Sequence, residues 1–215
     1  MIEEIERFSA EDARGKVCVL KDGELLRARP EGRMKITLGP KEQAAADAAI
    51  QLLIAGLKDE DGVHVESALT VVGGLIGQFL LLEYRPEWED VDPECRAVFI
   101  EDVDQDLFEC AQFLDSLLAR RLPGIGGVAA EIPADNVPRP NSLPTAGQAL
   151  PDIERCLASR GIAGEQRRWV LVFVLGELLA KTAAALHPGI GLRLALRAMV
   201  RASKTPAAHL GALEA

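Results

Sequence analysis

The chain of 215 residues carries 24 basic against 33 acidic side chains, a formal net charge of −9, with 48% hydrophobic and only 4% aromatic residues. That apolar share excludes a wholly disordered or fibrous chain, and the length suits one domain or two small ones. Alanine (31 residues) and leucine (30) dominate, and both favour helix without β-branching, so the composition predicts a mainly α protein.

A short acidic helix is expected near residues 2–12. Residues 16–20 and 24–29 flank Asp22-Gly23, a pair that tolerates the positive φ of a tight turn; they predict a small N-terminal β-hairpin, with 33–38 as a third strand. Gly39-Pro40 opens the first long helix, because proline at the first helical position loses no hydrogen bond, and the alanine-rich run continues to about Lys58. A second helix is expected over 64–84, stopping before Pro86. Asp92-Pro93 reads as the start of a third, in which Val103, Leu107, Cys110, Leu114 and Leu117 recur at steps of four and three. It ends at Arg120-Arg121, whose charges suit the negative end of a helix.

Residues 122–151 hold six of the twelve prolines and four glycines, and read as a linker or as an arm laid across a surface or a partner. A second helical group follows, with helices expected over 151–160, 165–186 and 192–203. The organisation is therefore 1–39 (helix and hairpin), 40–121 (first helical group), 122–151 (arm) and 152–215 (second group packing on the first). Shifted by 99 residues, the sequence at 68–81 falls over 167–180 and sets Gly77-Gln78 over Gly176-Glu177, which raises the idea of a distant duplication.

Charge is unevenly distributed. Eleven acidic side chains face Arg96 alone across 87–115, whereas 155–204 holds nine basic residues against Glu165 and Glu177. On the acidic helix Asp102, Asp106 and Glu109 share a face at a spacing that could hold magnesium; an acidic helix surface explains them as well. On the last helix Arg193, Arg197 and Arg201 recur every four residues, as an anion-binding ridge or as a face that neutralises the acidic helix. Glu177 sits in a run apolar on nearly every side, where an unpaired charge is costly. A pair with Lys181 is its simplest partner, and an arginine of the last helix is the alternative if it points inward. Gln78 is its uncharged counterpart. Gly73, Gly74 and Gly77 cost helix stability and therefore imply close approach of another backbone, either an intramolecular crossing or a dimer seam.

The four cysteines show no C-x-x-C spacing and read as reduced thiols, and the acidic N-terminus lacks the character of an export signal, so a cytoplasmic location is expected. The two most apolar stretches read as core helices and not as membrane spans. No histidine metal motif, nucleophile elbow or phosphate loop is present. The reading that follows is a multi-helical bundle acting as a non-enzymatic interaction or regulatory protein, a homo-oligomer with a protein partner in prospect. Nucleic-acid and membrane partners are disfavoured, and no cofactor is expected. One alternative is a metal-dependent hydrolase of a phosphorylated small molecule, with magnesium on the helix carboxylates; another is a small-ligand sensor with a pocket near Glu177.

Overall fold

The computed structural model describes residues 16–19, 38–84, 95–123, 128–129, 131–207 and 209–210, with 16–19 and 95–99 as backbone alone. Among them are six α-helices: α1 (Pro40–Leu57), α2 (Val65–Tyr84), α3 (Glu101–Arg121), α4 (Ser142–Ala158), α5 (Gln166–Thr182) and α6 (Pro188–Ser203). Two short strands, β1 (Lys16–Val19) and β2 (Cys95–Phe99), pair in parallel, with Val17 opposite Ala97 and Val19 opposite Phe99. The helix expected over 2–12 and the expected strands at 24–29 and 33–38, apart from Leu38, lie outside the described residues.

Three helix starts differ from the sequence expectation, each for a local reason. α3 begins at Glu101 and not at Asp92-Pro93, because the β-branched and aromatic run Val98-Phe99-Ile100 stays extended up to its N-cap. α4 begins at Ser142, inside the proline-rich arm. Pro144 falls in its first turn, where a backbone N–H has no helical partner to lose, and Pro151 is accommodated within the helix. α6 begins at Pro188 and not at Leu192: proline suits a first helical position, and His187 caps the helix by accepting a bond from Gly189 N through Nδ1 at 3.2 Å.

α2 is the axis of the molecule. Every residue from Ser67 to Leu81 is buried, and the helix packs most extensively on α6 and also against α4, α5 and α3. It is long and apolar enough to cross a membrane by length and composition, yet 78% of that window is buried inside the protein, which is what a central helix requires. The second helical group thus lies directly on the first, and one large core cluster draws side chains from all six helices.

The contacts have an exchanged pattern. α2 packs on α4 and α6, while α5 packs on α1 and α3, so each middle helix reaches the first and third helices of the other group. The glycines aligned by the 99-residue shift share this role. A Cβ on Gly77 would lie 2.3 Å from Met199 O in α6, and one on Gly176 would lie 2.7 Å from Leu117 Cδ2 in α3.

The arm crosses its own chain. Asn136 Nδ2 donates to Glu66 Oε1 at 3.0 Å and Arg139 N to Ser67 Oγ at 2.9 Å, both at the start of α2, while Arg139 pairs with Asp59. Ala129 N reaches Gly189 O at the start of α6.

Candidate functional site

The most unusual chemistry lies where the last turn of α2, the middle of α3 and the first turn of α5 meet. Arg168 follows the polar start of α5 and precedes its apolar run, so the helix drives it into the core beside Trp169; its side chain is 4% exposed. Nη1 donates to Asp106 Oδ2 at 2.8 Å and also pairs with Glu83. The two carboxylates are 7% and 12% exposed. Tyr84 Oη donates to the same Asp106 oxygen at 2.6 Å, and Glu165 Oε2 stands 3.7 Å from Arg168 Nη2 at the more open edge. The guanidinium carbon lies 5.1 Å from the Trp169 ring centroid, and Phe113 meets that ring edge-on at 5.6 Å.

Two buried carboxylates therefore share one guanidinium. Burial pushes the Glu83 carboxyl up to about 7; Arg168 opposes the shift, while the charges of Asp106 and Glu165 add to it. Burial works against the charge on Arg168, but Glu83 and Asp106 outweigh it and hold the guanidinium protonated above its ordinary range. Burial likewise pushes the Cys110 thiol far up, leaving it inert. Glu83 Oε1 and Arg168 Nε have no hydrogen-bond partner among the described residues.

The magnesium face anticipated from Asp102, Asp106 and Glu109 is not gathered. Asp106 turns into the core toward Arg168 and Tyr84, while Asp102 and Glu109 are exposed. No group of three or more His, Cys, Asp or Glu side chains among the described residues is placed to hold a metal ion.

Glu177 pairs with the last residue of α3, its Oε1 lying 2.6 Å from Arg121 Nη2, and not with Lys181 or an arginine of the last helix. Packing beside it is tight, since Leu114 and Leu117 close on Gly176. Gln78 is buried and donates through Nε2 to Ala202 O and Thr205 O, both at 2.7 Å, tying off carbonyls at the end of α6. Both polar residues of the aligned pairs thus address the C-terminal end of a helix from the other group. Replacing Gln78 by methionine is expected to cost about 2 kcal/mol, because a donor to buried carbonyls is removed. Urea denaturation checks it, and the glutamate variant, which sets acceptor against acceptor, should cost more.

The arginine ridge is divided. Arg193 Nη1 donates to Ala129 O of the arm at 2.9 Å, Arg197 is exposed and Arg201 half-buried. Lys204, just beyond, is buried and pairs with Asp104 Oδ1 at 2.9 Å, so part of the basic segment neutralises the acidic helix within one chain. Gly73 and Gly77 face the backbone of α6 at Ala195 and Met199, and Gly74 faces Ala146 and Leu143 of α4; all three serve crossings inside the chain.

Glu83, Tyr84 and Arg168 are absent from the sequence-derived candidates. One signal was available: Asp106 lies three residues after Val103 and four before Cys110, on the apolar stripe itself, where a carboxylate needs a cation. The fold and cluster together define a mainly α-helical protein organised around a shared buried arginine. No protein-family model, curated protein or solved structure matches the chain.

Proposed function

We propose that this is a non-enzymatic, cytoplasmic helical interaction or regulatory module that works as a homo-oligomer, with α1 as the contact helix. The observation that carries this reading is the outer face of α1. Its inner face, Ala45, Ala46, Ala49, Ile50 and Leu53, is spent on the core. Yet Leu52 and Ile54 are 39% and 41% exposed, and no charged residue occurs between Asp47 and Lys58. Exposed Ala44, Ala55 and Gly56 allow close approach of another helix.

A second copy suits this face by symmetry and charge. Antiparallel pairing about a two-fold axis between Gln51 and Ile54 sets Asp47 of one copy opposite Lys58 of the other, twice over. Both residues are exposed, and eleven positions of a helix bring them back to nearly the same side. An open groove of about 780 Å³ runs alongside, between Ala48, Gln51 and Leu52 of α1 and Asp152, Arg155 and Arg160 of α4, and offers room for side chains of the second copy.

One helix pair buries less than the roughly 800 Å² per partner of a stable interface, so the expected affinity is micromolar. Sedimentation equilibrium of the full chain should show concentration-dependent dimers, abolished by Ile54→Asp. Asp47→Lys and Lys58→Asp should each weaken association, and the double exchange should restore it. A monomer at every concentration, or a dimer indifferent to Ile54→Asp, overturns the reading.

A further inference from the structure

We propose that Glu83, Asp106 and Arg168 form a proton-operated latch: with one guanidinium for two buried carboxylates, the joint of α2 with α3 and α5 is closed by a proton on Glu83 and loosens when that proton leaves. The geometry carries the argument. Arg168 and Asp106 already make a neutral pair at 2.8 Å, which Tyr84 completes with a hydrogen bond. A second ionised carboxylate on the same guanidinium leaves the enclosed cluster with a net negative charge. Its Oε1 has no hydrogen-bond partner among the described residues to absorb that charge. Among the described residues, the groups acting on Glu83 are Arg168 and Glu165 from α5 and Asp106 from α3, with the buried Cys110 thiol behind them, so acidic neighbours there outnumber the cation.

The direction with pH follows from linkage. The Glu83 carboxyl is held at about 7, above the ordinary 4.5 it has in an unfolded or opened segment. Below about pH 4.5 both states carry the proton and the closed state has its full advantage. From there to about 7 the open state releases its proton first, so closure weakens as pH rises, by up to about 300-fold, and levels off above.

Cys110 is a built-in reporter, because it is fully buried in the cluster and can react only on opening. Its alkylation in the full chain is followed by peptide mass spectrometry, normalised to a free thiol at each pH. Between pH 5 and 8 the normalised rate should rise at least about tenfold in the wild type and stay flat in Glu83→Gln. Amide protection of residues 73–78 should stay unchanged, marking the opening as local. The ¹³C titration of the Glu83 carboxyl should centre near 7, and this decides the matter even if the glutamine variant fails to fold. An equal pH response in both proteins, loss of protection at 73–78 in step with Cys110 labelling, or a Glu83 midpoint in the ordinary carboxylate range overturns the latch.

Discussion

Arg168→Met should lower the stability of the protein by about 3–5 kcal/mol, the cost of breaking a buried ion pair by removing one partner. The guanidinium serves Asp106 and Glu83 together, with both carboxylates nearly enclosed, so its removal deprives both of the counter-ion they share. Methionine fills much of the space beside Trp169, so lost charge and not lost volume dominates the result. A double variant, Arg168→Met with Asp106→Leu, should recover part of the loss, because only one of the two carboxylates is then left without its counter-ion. The loss should shrink as the pH falls, since buried carboxylates without a cation escape their penalty by taking up protons. Urea denaturation at two pH values measures all of this, and a loss below about 1 kcal/mol for the single variant would show that Arg168 is not the keystone of the joint.

Gly77→Ala should also be strongly destabilising, and its sign is diagnostic. On helix propensity alone alanine gains up to about 1 kcal/mol over glycine. Here the added Cβ would sit 2.3 Å from Met199 O and 2.7 Å from Ser203 N, both backbone atoms of α6. Neither can move without shifting the helix, so α2 and α6 must separate along their most extensive contact and strain the two bonds that Gln78 makes to the end of α6. A net loss of about 2–4 kcal/mol is expected. Gly56→Ala is the control, since that glycine is exposed on α1 with nothing within 4 Å of an added Cβ, and it should be neutral or stabilising by up to about 1 kcal/mol. Thermal and chemical denaturation of the two variants should move in opposite directions; a stabilised Gly77→Ala would mean that the crossing is looser than described.

The two results bear on function from different sides. The Gly73 and Gly77 seam and the Gln78 cap are consumed in holding α2 to α6, and Glu177 in joining α5 to α3 through Arg121. The outer face of α1 has no such internal duty. That separation is why the proposed association surface can be altered by Ile54→Asp without touching the axis of the fold, and why the Glu83 cluster, remote in sequence from α1, can be tested independently.

Much of the helical layout was legible in the sequence because helix signals are local. Proline at the first position of α1 and the stripe of Val103, Leu107, Cys110 and Leu114, all buried in α3, follow from periodicity and backbone geometry within a few turns. Local reasoning failed where two local rules competed, as at Pro144 and Pro188, prolines that lie in the first turns of helices expected to begin only later, at 151 and 192. Pairing was beyond the sequence. Asp106 meets Arg168 across 62 positions and Gln78 meets Ala202 across 124, and which of the many carboxylates a given arginine serves depends on how whole helices cross. A sequence states that Glu177 and Asp106 need partners, because an isolated buried charge is too costly to keep. Only the packing of α2, α3, α5 and α6 decides that Arg121 answers the first and that Arg168 is divided between the second and Glu83.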